Sequence, residues 1–311
     1  MKGRVAITPR SMSEAGHPAL GLLSQSGYEL VFPAPGRQPT EAELMASLPG
    51  CVGYLAGVEP VSRKVIEMSR DLRVISRNGV GIDNIDLDAA RSRGIVVEKA
   101  LGANTRGVAE LAMALMMCGL RHVSWSDRVL GAGEWKRRKG REAFGRTLGI
   151  VGCGAIGRAL AQMCLSIGMK VLGYDPVWKN DGSLGPYFRL VGLDELYAEA
   201  EIVSLHCPPG ARPLVDAAAI DAMRPNVLLI NTARAELIDG EALLAGLNSG
   251  KVAAFATDVY QTEPPMLNDL LRHENAIRTP HAGGLTEESV DRATRIAVEN
   301  LLRVLEGHGS A

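Results

Sequence analysis

Residues 147–158 read TLGIVGCGAIGR: a short apolar run, three glycines spaced G-x-G-x-x-G, then a helical pattern. A lone glycine triplet is a weak signal, but here it sits in the strand–turn–helix context that its mechanism needs. Gly152 permits the tight turn, Gly154 lets the backbone approach a pyrophosphate, and Gly157 lets the helix pack on the strand. Ala155 and Ile156 open the helix, whose free N–H groups and positive dipole end would face the phosphates. The next strand-like run, KVLGYD, ends at Asp175, about 20 residues on, where a carboxylate can accept hydrogen bonds from a ribose. It would repel a 2′-phosphate, and no arginine follows until Arg189. The pattern points to a dinucleotide, NAD rather than NADP.

Outward from this loop, strand-like runs alternate with helical patterns. Before it the strands begin at Arg4, Cys51, Leu72 and Gly94, with helices over 41–47 and 61–69. From Thr147 a second series reads LGIVG, KVLGYD, EIVSLHC, VLLINTA, AAFATDV and NAIRTPH, with helices over 155–167 and 241–249. Such alternation predicts an α/β fold with doubly wound parallel sheets covered on both faces. A long helix begins at Asn104, with Val108, Leu111, Ala112, Leu115 and Met116 on one face, and Met113, Met116 and Met117 read as core filler. The chain from Thr286 reads as one amphipathic helix with Val290, Ala293, Ile296, Ala297, Leu301 and Val304 on its apolar side.

With 311 residues the chain has room for one large domain or two of ~100–200 residues. A net charge of −1 gives no reason to expect nucleic acid or an anionic membrane as partner. The one basic cluster, Lys136, Arg137, Arg138, Lys139 and Arg141, lies among glycines and reads as a solvated loop, with a lip beside a phosphate-bearing cofactor as the alternative. The five cysteines never form C-x-x-C, so neither a metal site nor a disulfide framework is expected. The first residues lack an apolar signal-peptide core, and the longest apolar run, 108–120, contains Glu110 and is too short to span a bilayer. These features predict a cytoplasmic protein.

Three phrases follow strands of the second series, where open α/β sheets place their ligands: NTARAELID with Arg234, DVYQTEP with Asp258 and Glu263, and RTPHAGG with His281. Arginine clamps a carboxylate with two charge-assisted hydrogen bonds. Histidine serves as general acid or base near neutral pH, and a carboxylate beside it favours the imidazolium. Each residue alone has a structural reading, as His206 in SLHCPP illustrates. Their order behind a cofactor loop favours chemistry.

The chain resembles the D-isomer-specific 2-hydroxyacid dehydrogenases, the group that includes D-3-phosphoglycerate dehydrogenase and the hydroxypyruvate and glyoxylate reductases. The likeness rests on RNGVGIDNID (77–86), GANTRGVAE (102–110), the glycine loop (147–158), HCPP (206–209), NTARAELID (231–239), DVYQTEP (258–264) and TPHAGG (279–284). It implies a discontinuous flavodoxin-like substrate domain, residues 1–100 and 284–311, with a Rossmann-type NAD domain inserted at 101–283. It also implies a homodimer whose active site lies in the cleft between domains. Arg234 would bind the substrate carboxylate and 2-oxygen, helped by backbone N–H groups at Val80 and Gly81. His281 would protonate the carbonyl oxygen as hydride arrives, with Glu263 orienting it. Asp258 would hold the nicotinamide carboxamide, and His206 would lie beside the cofactor.

Departures from the pattern bear on substrate. Phosphoglycerate dehydrogenases commonly end the third strand with an Arg-Ser phrase that binds phosphate; here the stretch is YLAGVEPV, and an acidic Glu59 at the pocket mouth would disfavour a dianionic phosphate. Ala235 replaces a usual glycine, and Gly210 and Pro213 replace usual threonines. The expectation is thus a dehydrogenase of a small 2-hydroxy acid. 3-Phosphoglycerate dehydrogenase proper and a non-catalytic NAD-sensing corepressor are the alternatives. Asp175 sets one test: kcat/KM with NAD(H) should exceed that with NADP(H), and equal or greater efficiency with NADP(H) would contradict the assignment.

Overall fold

The computed structural model describes residues 1–14 and 16–307, so the last four residues of the 284–311 segment, His308 among them, lie outside the described residues. The chain divides into two compact units, Met1–Asn104 with Leu285–Ala311, and Thr105–Gly284. The break falls after Asn104 rather than residue 100 because Ala100 and Ala103 pack with Ala293. Ala103 O also accepts a hydrogen bond from Arg292 Nε (3.0 Å).

The first unit holds five parallel strands, β1 (Gly3–Ile7), β2 (Tyr28–Val31), β3 (Cys51–Ala56), β4 (Val74–Arg77) and β5 (Val96–Lys99), in the order β2-β1-β3-β4-β5. This is a doubly wound order, reversing between β1 and β3. One face buries Leu44, Leu48, Tyr54, Val65 and Ile75; the other buries Val5, Leu23, Leu55, Val298 and Leu301. The helix Glu287–Leu305 brings the last two, capped at its start by Thr286, whose Oγ1 accepts from Ser289 N (3.1 Å). Its buried stripe takes Val298 and Leu305 in place of Val290 and Val304, which are only partly covered. Gly53 allows the approach, since a Cβ there would stand 3.2 Å from both Leu301 and Leu305. The edge strand β2 is absent from the sequence reading because its four residues show no apolar alternation.

Glu59 is not at a pocket mouth. It is 1% exposed, and Oε1 accepts from Tyr54 OH (2.5 Å), Gly57 N (2.8 Å) and the Thr8 hydroxyl. Burial and the adjacent Glu59 raise the Tyr54 phenol well above its ordinary value, so it stays a donor. Closed in by these donors, the side chain does not stand at the surface where an incoming anion would meet it. Glu59 therefore gives no reason to disfavour a phosphorylated substrate.

The second unit holds seven parallel strands, β6 (Thr147–Val151), β7 (Lys170–Tyr174), β8 (Phe188–Leu190), β9 (Ile202–Leu205), β10 (Val227–Asn231), β11 (Val252–Thr257) and β12 (Ala276–Arg278), ordered β12-β11-β10-β9-β6-β7-β8. The order reverses between β6 and β9. Strands β9 and β10 are buried along their whole length, which is why their sequences are apolar apart from Ser204 and Asn231. The helices Thr105–Arg121 and Ala155–Ser166 cover one face over Leu115, Met116, Leu148 and Ile150; the helices Leu193–Glu199 and Gly240–Ser249 cover the other over Leu196, Leu229 and Leu243. β8 also escapes the sequence reading, being three residues at an edge with one buried.

The basic cluster is not a cofactor lip. Arg138 donates to Asn275 Oδ1 (2.8 Å) and Glu274 Oε2 (2.7 Å) and lies 4.1 Å over the Trp125 ring, while Arg141 donates to Asn226 O (2.8 Å). Asn226 and Asn275 immediately precede β10 and β12, so these arginines are fastened at the amino ends of the strands, opposite the glycine loop. Lys136 pairs with Glu134; Arg137 and Lys139 are exposed. Among the described residues no helix is long and apolar enough to cross a membrane.

Candidate active site

The glycine loop leaves β6 at the point where the strand order reverses, where α/β sheets open a crevice. Gly152 has φ +99°, and a Cβ there would lie 2.7 Å from backbone atoms of His206 and Cys207, so only glycine fits. At Gly157 a Cβ would meet Gly152 O at 2.1 Å, which explains the close packing of helix on loop. At Gly154, the N-cap of Ala155–Ser166, nothing lies within 4 Å of the same position. The loop is thus packed tightly against protein at two glycines and open at the third, beside free helix N–H groups. That is the shape a pyrophosphate requires.

Asp175 ends β7 with its carboxylate turned to the same loop: Oδ2 accepts from Cys153 N (2.8 Å), and Oδ1 from Val177 N and Trp178 N (2.8 Å each). Burial pushes its acidity toward the neutral form, but the three backbone donors and nearby Arg158 outweigh it and hold the carboxyl below its usual value. Two further residues, missed in the sequence, frame it. Arg158 donates to Cys153 O (2.6 Å) and sits 5.5 Å from the Trp178 ring, which packs edge-on to Phe188 at 5.8 Å. Neither carries a signal in a single sequence beyond adjacency to the motif.

His206 follows β9, and its Nε2 is 2.8 Å from Ser204 Oγ. Its Nδ1 is closed off without a protein partner among the described residues, and burial pushes the ring down to about 4, so it is neutral at pH 7. The open glycine, the acid at the end of β7 and this orphaned nitrogen together fit a bound dinucleotide.

Asp258, Glu263 and His281 gather at the carboxyl ends of the next strands. Pairing of Thr257 with Arg278 brings Asp258 beside Thr279. Asp258 is 2% exposed and accepts three hydrogen bonds, from Thr279 Oγ1 (2.6 Å), Ala282 N (2.8 Å) and Gly283 N (2.8 Å). These bracket His281, which has φ +51°, a left-handed conformation that non-glycine residues adopt at a penalty of ~1 kcal/mol or more. So held, His281 places Nδ1 2.8 Å from both carboxylate oxygens of Glu263, with each side chain about half exposed. Tyr260, also missed in the sequence, joins the two phrases: its hydroxyl donates to Thr279 O (2.7 Å) and its N–H to Glu263 Oε1 (3.3 Å).

Arg234 follows β10 with extended backbone and donates from Nη1 to Ala233 O (2.8 Å). Asn231 shapes its turn, accepting from Ala233 N (3.0 Å) and donating to Arg234 O (2.8 Å). Ala235 opens the short 3-10 turn Ala235–Leu237. Val80 and Gly81, in the first unit, lie in the half-buried turn after β4. Among the described residues no cluster of three or more His, Cys, Asp or Glu side chains could hold a metal.

Fold and loop together define a nucleotide-binding α/β protein, and residues 113–283 match the model of the D-isomer specific 2-hydroxyacid dehydrogenase NAD binding domain. The chain belongs to that family. It is 41% identical over 252 residues to the D-3-phosphoglycerate dehydrogenase of Methanocaldococcus jannaschii, a match covering 79% of this chain and 48% of that protein. With the hydroxypyruvate reductase of Thermotoga maritima it shares 38% identity over 271 residues, covering 85% and 88%. The chain spans about half the length of the curated phosphoglycerate dehydrogenases it matches. Among solved structures, the TT0316 protein from Thermus thermophilus superposes with a TM-score of 0.86 at 35% identity, covering 98% and 97% of the two chains. A glyoxylate reductase from Paecilomyes thermophila gives 0.86 at 29% identity, covering 100% and 98%.

The half-buried His206 sets a pH dependence. Its folded value, about 4, lies below the ordinary 6.5, so its contribution to stability is complete above pH 6.5 and is lost as pH falls toward 4. That loss amounts to about 2–3 kcal/mol near pH 4.5. Denaturant midpoints at pH 7.5 and 4.5 check it: His206→Gln should flatten the difference, and an unchanged difference would remove His206 as its source.

Proposed function

We propose that the protein is an NAD-dependent dehydrogenase interconverting a small 2-hydroxy acid and its 2-keto partner. The observation that carries this reading is the His281–Glu263 pair, at 2.8 Å, on the sheet whose glycine loop is shaped for a dinucleotide. NAD, held by residues 152–157, Asp175 and His206, supplies the hydride acceptor or donor when bound. A carboxylate has about four acceptor positions. Asp258 uses three of them, leaving one for the nicotinamide carboxamide.

Arg234 clamps the substrate carboxylate, and the backbone N–H groups of Val80 and Gly81 bind substrate oxygens. With Glu263 accepting from Nδ1–H, the proton on His281 Nε2 is the one free to move. In reduction it passes to the carbonyl oxygen as C2 gains hydride, and the neutral imidazole regains a proton from solvent. In oxidation the same nitrogen takes the hydroxyl proton. Glu263 keeps one ring orientation in both directions.

For the substrate we favour an unphosphorylated keto acid of the hydroxypyruvate or glyoxylate kind. The hydroxypyruvate reductase of T. maritima matches this chain over 88% of its length. The 41% identity to the M. jannaschii enzyme supports 3-phosphoglycerate as the second reading. We also place the protein in the cytoplasm as a homodimer with no nucleic-acid partner. Five unpaired cysteines suit a reducing compartment. Exposed Val123, Leu130 and Trp135 give the second unit an apolar surface that a second copy could cover.

Oxidation of NADH with hydroxypyruvate, glyoxylate and 3-phosphohydroxypyruvate checks the reading. His281→Ala should lower kcat by roughly 10²–10⁴-fold. Arg234→Ala, which removes two charge-assisted hydrogen bonds, should lower kcat/KM by roughly 10²-fold or more. Near-normal efficiency in either variant would remove that residue from the chemistry. Turnover with none of the three acids would favour a non-catalytic sensor.

A further inference from the structure

A cavity of about 280 Å³ lies within the second unit, among the carboxyl ends of β10 and β11 and the helices Gly240–Ser249 and Asp269–Arg272. Its walls include two chain segments that carry catalytic residues, although Arg234, Glu263 and His281 do not line it. On one side stand Asn231, which holds the carbonyl of Arg234 at 2.8 Å, and Ala235, the next residue along. On the other stand Tyr260, Thr262 and Pro265, which flank Glu263. The cavity thus backs onto the turn that presents the carboxylate clamp and onto the loop that presents the histidine's partner.

Its chemistry is narrow. None of the lining residues is charged. The buried polar ones are committed elsewhere: Asn231 to the Arg234 turn, Thr257 Oγ1 to Val259 O (2.9 Å) and Tyr260 OH to Thr279 O (2.7 Å). Asn268 Oδ1 accepts from Leu271 N (3.0 Å), Gln261 and Thr262 are exposed, and the remaining lining is hydrocarbon, with Leu243, Phe255 and Leu271 buried. A charged guest would give up its hydration for nothing, whereas an uncharged apolar guest gains from leaving water. The volume falls just below the range of ~300–1,000 Å³ for drug-sized ligands, which limits the guest to one or two fused rings or a short branched chain.

The outer wall is the one able to yield. Met266 is 87% exposed, while Leu243, Phe255 and Leu271 are buried in the core. A guest that presses on the loop carrying Met266 also moves Glu263, three residues away.

We propose that this cavity is a second binding site, for a small uncharged apolar molecule, and that its occupancy displaces the Glu263 loop and the Arg234 turn. Turnover then falls without competition at the cofactor or keto-acid site. The effect on turnover rests on the dehydrogenase reading; the binding does not.

Indole serves as the neutral probe and benzoate as its charged counterpart. Calorimetric titration of the full chain should show saturable binding of indole and none of benzoate at the same concentration. Nuclear Overhauser contacts should link indole to the methyl groups of Leu243 and Leu271. Saturating indole should lower kcat by about fivefold or more and raise KM for the keto acid as the Arg234 turn moves, while leaving KM for NADH unchanged. Leu270→Trp, which fills the cavity from the helix side, should weaken indole by about tenfold or more and, by occupying the cavity itself, should lower kcat in the absence of indole. Competition with NADH, contacts only to methyl groups outside the cavity lining, undiminished binding in a folded Leu270→Trp variant, or no binding at all would each overturn the proposal. If the protein turned over no keto acid, that would count against the dehydrogenase reading alone. The proposal would then stand or fall on the indole contacts and on whether indole shifts the His281 ring resonances, as displacement of Glu263 requires.

Discussion

A buried carboxylate holding two backbone N–H groups is the interaction on which the candidate site depends. Asp258 grips the N–H groups of Ala282 and Gly283 and the hydroxyl of Thr279, and so fixes the turn that contains His281. Without that grip a histidine at φ +51° has no reason to persist, since the left-handed region is disfavoured for any residue with a Cβ. The grip depends in turn on sheet register. β11 and β12 run parallel with Thr257 opposite Arg278, which carries the end of one strand directly to the turn after the other. Hydrophobic packing of the strands therefore sets the direction of a polar side chain several residues away.

The same economy governs the cofactor loop. Gly152 and Gly157 close up against protein, and Gly154 does not, so the loop's rigidity and its openness come from one glycine pattern. Asp175 is tied by three backbone N–H groups, one belonging to the loop itself, which favours its charged form at the place where a ribose would be met. His206 is kept neutral by desolvation and offers a hydrogen-bonding nitrogen that carries no charge.

Much of this was legible in the sequence, for physical reasons. Parallel strands buried on both faces are largely apolar, so β9 and β10 announce themselves despite Ser204 and Asn231, and Gly152 and Gly157 report a steric requirement that no other residue meets. The edges were not legible: β2 and β8 are short and half-exposed, and nothing in their composition separates them from loop. Glu59 and Arg138 show a deeper limit. Each was read by charge, as a repellent at a pocket mouth and as part of a loop or lip, yet each is defined by its partners: Tyr54 and Thr8 for one, Glu274 and Trp125 for the other. Such partners lie up to 136 residues away in sequence. The local role of Asp258 was hidden for the same reason, although the residue itself stood in a recognised phrase.

What His281 meets is a matter of chemistry as much as geometry, and with Glu59 buried the choice of side group rests on other residues. The central claim is narrower: hydride reaches C2 of a 2-keto acid while this chain delivers the proton and sets the face. Reduction of glyoxylate and hydroxypyruvate with NADH deuterated at the transferred position of C4 tests it directly. Mass and chiral analysis of the products should show one deuterium at C2 in both, and only the D isomer of glycerate from hydroxypyruvate. Products without deuterium at C2, or L-glycerate, would contradict the account.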